Sequence, residues 1–261
     1  MKQKIVKKRL DCLLVEKGFA ESNDQAQRLI LAGQIKVKDL PILLKTATLV
    51  KENSEIELLS LPRYVSRGGE KLEAALNYWK IEPQDRICLD VGCSTGGFTD
   101  CLLQKGAKKI IAVDVGHGQF HYKLREDSRI SLYEKCHILK WIPPWNNIKE
   151  LPSLIVVDLS FISLTKILKK IHEITHPNWK NFNLSQLTID LLVLIKPQFE
   201  SERKWIRKGI LKDQNIRQEI IEKIVQHSKT LGFEIKEHFP CPVLGLKGNE
   251  EEWLYLVTKV T

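Results

Sequence analysis

The feature that most constrains the fold is a glycine-rich turn that joins an apolar run to an amphipathic segment. Residues 86–91 are typical of a buried strand and residues 98–103 of a helix, and the turn between them contains Gly92, Gly96 and Gly97. Glycines allow a ligand to approach the backbone closely beside the start of a helix. The spacing G-x-S-x-G-G differs from that of dinucleotide-binding turns and of P-loops. The turn therefore predicts a strand–turn–helix unit with a ligand site of another kind.

Two acidic residues at strand ends indicate which ligand the turn would bind. Asp90 lies just before the first glycine, and Asp114 ends the next apolar run, residues 110–114. The first carboxylate suits a cationic ligand, and the second is placed to hold ribose hydroxyls. S-adenosylmethionine has the required cationic groups and ribose, whereas an ordinary strand–helix turn would need neither carboxylate. We expect this cofactor to contact Asp90, Gly92, Ser94, Thr95, Gly96, Gly97, Phe98 and Asp114.

Apolar runs alternate with helical patterns along the chain after residue 66. The predicted elements are a helix at 70–79, strands at 109–114, 153–158 and 189–195, helices at 118–124, 164–172 and 215–231, and closing strands at 233–238 and 252–258. Strands separated by helices predict an α/β fold with a doubly wound parallel sheet. The ligand site of such a sheet lies at the carboxyl ends of its strands.

A lysine is also predicted at this edge of the sheet. Lys196 directly follows a strand and precedes Pro197, and Asp158 ends the strand before it. A lone lysine is usually a solvated charge, but a second one, Lys71, lies on the helix that precedes the sheet. Two neighbouring ammonium groups depress the pKa of a lysine towards neutrality, which makes it a usable base for a hydroxyl group.

The first 60 residues have the pattern of a separate basic module. Two helical patterns are followed by alternating strands at 34–38 and 55–59, and residues 22–25 are typical of a capping box. Residues 1–66 hold 12 Lys and Arg against 8 Asp and Glu, in a chain whose net charge is +9. This excess indicates a polyanionic partner, with a merely solvated basic surface as the alternative.

This module resembles the S4 RNA-binding domain. The matching residues are Arg9, Leu10, Asp11, Gly18, Ser22, Ala26, Ile30, Gly33, Ile35 and Val37. Two positions depart from the S4 pattern, because Asn23 replaces an arginine and Lys38-Asp39 replaces Asn-Gly. The resemblance implies RNA contacts through Lys8, Arg9, Arg28, Lys36 and Lys38. A small α+β module without a nucleic-acid function is the alternative.

The whole chain resembles TlyA-type proteins, in which an S4 domain is fused to an FtsJ-like methyltransferase. The resemblance after residue 65 is carried by residues 66–72, 90–99, 112–119, 158–164, 195–200 and 248–251. It implies an S4 domain at 1–61, a linker at 62–66 and a Rossmann-like class I methyltransferase domain at 67–261. It also implies 2′-O-methylation of a cytidine ribose in ribosomal RNA, with S-adenosylmethionine as the methyl donor. Large-subunit RNA is favoured because the chain ends soon after its closing strand, at Thr261.

The FtsJ-like group has a Lys-Asp-Lys-Glu tetrad that falls here on Lys71, Asp158, Lys196 and Glu251. The glutamate is one of three in a row, and we choose Glu251 because the family pattern places it two residues after Gly-Asn. The resemblance implies that Lys196 takes or stabilises the proton of the ribose hydroxyl and that Asp158 orients it. Lys71 would lower the pKa of Lys196, and Glu251 would hold the lysines.

Two segments depart from the family pattern. The usual Glu-Arg-Thr-Asn reads Glu134-Lys135-Cys136-His137, which keeps the carboxylate that we expect at the cofactor. The usual glycine-rich loop is replaced by residues 201–209, with four cations around Trp205. We expect RNA contacts from this loop and from the start of the methyltransferase domain, through Arg67, Arg203 and Arg207. Packing of Trp205 against the core is the alternative, and for Trp141 and Trp145 loop packing is the expectation.

Several other functional classes are disfavoured by the sequence. The six cysteines show no CxxC pairing or metal-ligand spacing, which favours a reducing cytoplasm without metal or disulfides. No apolar run approaches the ~20 residues of a membrane span, which disfavours the hypothesis of a membrane-active hemolysin. A base methyltransferase would need a polar residue before Pro143-Pro144-Trp145, where Ile142 stands. A non-catalytic, ribosome-associated RNA-binding factor remains the main alternative. We expect a monomer with ribosomal RNA or a ribosomal subunit as its partner.

Overall fold

The computed structural model describes residues 6–31, 33–40, 44–59, 63–144, 151–176 and 187–260. The chain divides into two compact units, Met1–Pro62 and Arg63–Thr261. Pro62, at the start of the expected linker, and Trp145 lie outside the described residues.

The described residues of the first unit form two helices and four short strands. The helices are α1 (Leu10–Glu16) and α2 (Asn23–Leu31). The strands form two antiparallel pairs, β1 (Lys7–Arg9) with β3 (Leu49–Lys51) and β2 (Ile35–Val37) with β4 (Ile56–Leu58). The alternating pattern of 34–38 and 55–59 predicted the second pair, whereas β1 and β3 were not predicted.

The capping box of α2 is present in the structure. The Ser22 hydroxyl accepts a hydrogen bond from the Gln25 backbone N–H at 3.2 Å, and the Gln25 side chain accepts one from the Glu21 N–H at 2.7 Å. The first bond satisfies a donor that the first turn of the helix leaves without a partner, and the second ties the residue before the N-cap to that turn. The apolar faces of both helices, with Leu10, Leu14, Ala26 and Ile30, form the core of the unit.

The second unit is built around a seven-stranded sheet. Before the sheet lies helix α3 (Arg67–Trp79). The sheet elements and their crossover helices are β5 (Ile87–Val91), α4 (Gly97–Gln104), β6 (Lys109–Val113), α5 (Tyr122–Arg125), β7 (Ile130–Tyr133), β8 (Leu154–Val157), α6 (Leu164–Thr175) and β9 (Leu187–Ile195). The chain continues through α7 (Pro197–Glu200), the hairpin β10 (Ile206–Arg207) and β11 (Ile210–Leu211), α8 (Gln214–Thr230), β12 (Glu234–Pro240) and β13 (Glu252–Val260).

The strand order is β12-β13-β9-β8-β5-β6-β7. The five strands from β9 to β7 are parallel, which confirms the predicted doubly wound sheet. The two closing strands are antiparallel to their neighbours, and β13 lies between β9 and β12. Because β13 runs antiparallel to β9, its first residue, Glu252, pairs with the last residue of β9, Ile195. The start of β13 therefore lies at the carboxyl edge of the parallel strands.

The strands are buried on both faces, as expected for a parallel sheet covered by helices. On one face Leu89, Ile155 and Leu191 pack in a cluster with α6 and α8. On the other face Cys88 and Leu192 pack with α3 and α4.

The helix expected at 118–124 is shorter than predicted. Only Tyr122–Arg125 is helical, and Gly118 has a φ of +71°, which is incompatible with a right-handed helix. The hairpin of β10 and β11 was not predicted. Its strands have two residues each, too few for an alternating pattern to be recognised.

Candidate active site

Two cavities lie at the carboxyl edge of the parallel strands. The larger, of about 520 Å³, is lined by residues that include Lys71, Asp158, Lys196 and Glu251. The smaller, of about 300 Å³, is lined mainly by apolar side chains and by one carboxylate, Asp114. The two cavities share the lining residues Gly92, Ser160 and Phe161. An apolar cavity with one carboxylate thus adjoins a strongly charged one.

Lys71 and Glu251 form a buried ion pair in the larger cavity. The Lys71 ammonium lies 2.6 Å from Oε2 of Glu251, and the two residues are only 8% and 2% exposed. Lys71 projects from α3, whereas Glu251 immediately precedes β13. The backbone of Gly245 closes around the glutamate, because a Cβ at position 245 would overlap its carboxylate. Glycine at 245 therefore leaves the room that Glu251 needs.

The two neighbouring glutamates have a different partner. Glu250 and Glu252 contact the two ends of the Arg217 guanidinium, at 2.5 and 3.0 Å. Glu252 also lies 2.9 Å from Nδ1 of His238. Since successive side chains of an extended chain point in opposite directions, the middle residue, Glu251, is directed towards Lys71. Of the three consecutive glutamates, Glu251 lines the cavity.

Lys196 and Asp158 form a second ion pair in the same cavity. The Lys196 ammonium also lies 3.3 Å from the Ser160 hydroxyl. Asp158 directly follows β8 and its backbone N–H donates to the carbonyl of Val91 at 3.0 Å, which fixes the carboxylate beside the glycine turn. Each lysine of the tetrad thus faces a carboxylate of its own. The predicted influence of Lys71 on Lys196 stays a prediction.

The glycine turn packs against the protein's own chain. A Cβ at Gly92, where φ is +89°, would overlap the carbonyl of Asp158, and one at Gly97 would overlap the Ser66 hydroxyl at the start of α3. Both residues line the larger cavity. Cofactor contacts by the backbone at these two positions stay a prediction, and the glycines also serve the packing of the chain. Their close approach brings β8 and α3 together, and so helps to position Asp158 and Lys71.

Asp90 lies behind this turn and lines neither cavity. It is fully buried, and one oxygen accepts a 2.6 Å hydrogen bond from the Thr99 hydroxyl. The other oxygen has no hydrogen-bond partner among the described residues. Burial, with smaller contributions from the charges of Asp158 and Asp114, raises the pKa of Asp90 to about 7. A direct cofactor contact by Asp90 stays a prediction.

Asp114 holds the rim of the smaller cavity. Its carboxylate accepts hydrogen bonds from the backbone N–H of Ser94 at 2.8 Å and of Gly116 at 2.6 Å. A carboxylate offers about four lone-pair sites, so two ribose hydroxyls could still donate to it. The apolar wall beside it, formed by Val113, Ile138, Leu159 and others, suits the face of a purine ring. The donor set of this cavity fits S-adenosylmethionine.

Glu134, expected to contact the cofactor, has partners within the protein for its carboxylate. It accepts from Gly118 and forms a two-pronged contact with Arg125 at 2.6 and 3.0 Å. His117 lies 3.4 Å away. The Arg125 guanidinium lowers the pKa of Glu134 to about 2. Glu134 lines neither cavity, and its contact with a cofactor stays a prediction.

Most of the cations expected to bind RNA in the first unit have carboxylate partners. Lys8 pairs with Glu16 and Glu52, Arg9 with Asp11, Lys36 with Glu57, and Lys38 with Glu55. The Arg9 guanidinium holds the pKa of the buried Asp11 well below its usual range. Arg28 has no ion pair among the described residues. RNA binding by all five stays a prediction.

The loop expected to contact RNA in the second unit is exposed. Arg203 and Arg207 extend from it, and Trp205 is 40% exposed with the Lys204 ammonium 5.4 Å from its ring centre. Trp205 is therefore not tucked into the core, while Trp141 is buried against Tyr133, as expected. Arg67 lines the larger cavity.

Sequence reasoning missed several residues of the site. Lys247 and Asn249 line the larger cavity, and Gly245 and Arg217 hold Glu251 and its neighbours. Phe161 lies between the cavities with its ring centre 4.6 Å from that of Phe199. The sequence next to Glu251 contained the signal for Asn249, whereas Arg217 lies on another element with no motif of its own.

Metal and membrane chemistry find no support in the described residues. In the ranges given above, no three His, Cys, Asp or Glu side chains cluster as metal ligands, and all six cysteines are free. Within the same ranges no helix has the length and apolarity needed to cross a bilayer.

Comparisons with known proteins identify the family of the chain. Residues 64–258 match the FtsJ-like methyltransferase family. The chain is 41% identical over 244 residues to hemolysin A of Brachyspira hyodysenteriae, covering 93% of this chain and 97% of that protein. It is 34% identical over 254 residues to the 16S/23S rRNA (cytidine-2′-O)-methyltransferase TlyA of Mycobacterium tuberculosis, covering 96% and 90%.

A solved structure extends the likeness to the whole fold. A protein from Streptococcus thermophilus described as a hemolysin superimposes with a TM-score of 0.70 at 34% identity, covering 98% of this chain and 90% of its own. The chain therefore belongs to the FtsJ-like methyltransferase family, and along its length to the TlyA/hemolysin A group.

Proposed function

We propose that the protein transfers a methyl group from S-adenosylmethionine to the 2′-hydroxyl of a cytidine in ribosomal RNA. The observation that carries the proposal is the convergence of Lys71, Asp158, Lys196 and Glu251, from four separate segments, on one cavity beside an apolar one. The mycobacterial relative bears this activity in its name, which supports the choice of substrate and base.

The donor would lie in the smaller cavity. Asp114 would bind the ribose hydroxyls, and the apolar wall around Ile138 and Leu159 would hold the adenine. Bound there, S-adenosylmethionine supplies a methyl group on a positively charged sulfur. Gly92, which lines both cavities, marks where the methyl group would meet the acceptor.

The acceptor hydroxyl would lie against Lys196. As the oxygen accepts the methyl group it loses its proton to Lys196, and Lys196 passes one of its own protons to Asp158, so the ammonium stays charged beside the reacting oxygen. The direct contact between Lys196 and Asp158 supports this relay. Ser160, 3.3 Å from the ammonium, keeps it directed into the cavity. General acid–base assistance of this kind contributes roughly 10²–10⁴-fold to a rate.

The Lys71–Glu251 pair would position rather than react. Its two charged groups lie 2.6 Å apart and compensate each other. The pair would form the part of the cavity wall that positions the acceptor ribose. Correct placement alone is worth several kcal/mol in a transfer between two bound molecules.

We further propose that the first unit is an S4-type RNA-binding module and that the protein acts on ribosomal RNA in the cytoplasm, as a monomer. Arg28 is the candidate contact there that is not already engaged by a carboxylate of the described residues. Large-subunit RNA is the first substrate to test.

The test is transfer of labelled methyl groups from S-adenosylmethionine to ribosomal RNA and to subunits that lack the modification. Lys196→Met should reduce the rate at least 100-fold while calorimetry gives unchanged donor affinity. Lys236→Met is the matched control, because Lys236 pairs with Glu234 at the opposite end of β12. Donor binding by the wild type without transfer to any RNA would instead support a non-catalytic ribosome factor.

A further inference from the structure

The larger cavity has more positive than negative charge. Four cations line it, Arg67, Lys71, Lys196 and Lys247, together with two carboxylates, Asp158 and Glu251. The two carboxylates are taken up by Lys71 and Lys196. Arg67 and Lys247 are left, and in the part of the chain that the structure describes neither forms an ion pair. The cavity therefore offers an anion two cations that are not compensated.

Lys247 is held in an unusual backbone conformation. Its φ is +60° and its ψ 15°, in the left-handed region that lysine rarely adopts. Its ammonium lies 3.4 Å from the carbonyl of Lys208, at the outer limit of a hydrogen bond. A conformation of this kind costs of order 1 kcal/mol and often marks a functional site.

The surroundings of Lys247 are fixed by a neighbouring side chain. Asn249 donates from its amide to the carbonyl of Gly209 at 2.9 Å and accepts from the backbone N–H of Leu211 at 3.2 Å. These bonds join the β10–β11 hairpin to the turn that precedes Glu251. A Cβ at Gly209 would lie 2.9 Å from the Lys247 ammonium, so the hairpin and the lysine meet closely.

We propose that Lys247, together with Arg67, binds a phosphodiester of the RNA next to the target ribose. This inference rests on the proposed function. A ribose whose 2′-hydroxyl faces Lys196 carries its 3′-phosphate on the adjacent carbon, so a negative charge must enter the same cavity. The lysines of the tetrad are already compensated, which leaves Lys247 and Arg67 to meet that charge. Phosphate contacts of this type position an RNA without reading its sequence.

The test measures RNA binding and methyl transfer separately. Lys247→Gly is the informative variant, because glycine adopts a positive φ without strain and the turn is retained. Its affinity for deproteinised ribosomal RNA at 0.1 M salt should fall about fivefold, with the salt slope reduced by about 0.7, as for one lost phosphate contact. KM for the RNA should rise while kcat stays near wild type. Lys247→Arg should restore both values, and Lys236→Gln is the matched control.

A synthetic RNA carrying one uncharged methylphosphonate 3′ of its target cytidine tests the pairing directly. The wild type should lose affinity for it, and Lys247→Gly should show a smaller loss, because only the contact with Arg67 is left to lose. Equal losses in both proteins would overturn the proposal. So would an unchanged salt slope in Lys247→Gly with faster hydrogen exchange at Leu211, because Lys247 would then only brace the hairpin. If no RNA is methylated but the slope still changes, the proposed function fails and the phosphate site stands.

Discussion

The buried pair of Lys71 and Glu251 gives the sharpest prediction about stability. Both residues are almost completely buried, and their charged groups are 2.6 Å apart. Removing one partner leaves the other charge buried and unpaired, which costs about 3–5 kcal/mol. For a unit of this size that corresponds to a decrease in Tm of about 6–20 °C. Lys71→Met and Glu251→Met should each show this loss.

The double variant separates the pair's effect on stability from its effect on activity. Replacing both charges with methionine removes the desolvation cost along with the attraction, and such exchanges are often neutral. We expect the free energy of unfolding of the double variant to lie within about 1 kcal/mol of the wild-type value. The double variant should nevertheless be inactive in methyl transfer. Urea denaturation followed by tryptophan fluorescence is a suitable assay, because the buried Trp253 ring packs near Phe98 beside this site.

Two results would refute this reasoning. In the first, each single variant has a free energy of unfolding within about 1 kcal/mol of the wild-type value. The unpaired charge would then reach water, and the pair would not be buried in solution. A double variant whose loss equals the sum of the single losses would mean that the two side chains do not interact.

Three further predictions concern the turn and its supports. Because burial raises the pKa of Asp90 to about 7, the folded protein binds a proton there more tightly than the unfolded chain, so its contribution to stability should fall as pH rises from about 4 to 7. Asp90→Asn should remove that pH dependence, and at pH 8 its free energy of unfolding should exceed the wild-type value by up to roughly 4 kcal/mol. The same dependence of Tm on pH in the variant and the wild type would contradict this. Gly97→Ala should lower Tm and the affinity for the donor, because the added Cβ overlaps Ser66. Adding Ser66→Ala should restore only part of both, since the backbone of α3 is also close to that Cβ. Gly245→Ala should displace Glu251 and reduce kcat, with donor affinity by calorimetry unchanged; full activity would show that the turn yields.

Much of the fold followed from local patterns. The alternation of apolar runs and helices predicted the parallel strands, and the rule that ligands bind at their carboxyl ends put Asp158 and Lys196 on one edge. The strands β10 and β11 were missed because two residues carry no periodicity. The three-residue strands β1 and β3 were missed because, unlike β2 and β4, neither lies within a longer alternating run.

The rest of the site depends on long-range packing that local patterns do not contain. Glu251 meets Lys71 across 180 residues of sequence, because β13 inserts antiparallel beside β9 and brings its first residues to the carboxyl edge. The family resemblance selected Glu251, but the requirement for glycine at 245 is visible only once the carboxylate has been placed. Likewise, the sequence predicts a carboxylate at position 134 but does not predict that Arg125 forms an ion pair with it.

Methylation of a ribose oxygen can be read from the chemical identity of the product. Ribosomal RNA labelled by the wild-type protein with S-adenosylmethionine should be digested to nucleosides and separated by chromatography with mass detection. We expect the label to be recovered as 2′-O-methylcytidine and to be absent with Lys196→Met. Label on a nucleobase, or on a ribose at full yield with that variant, would contradict it.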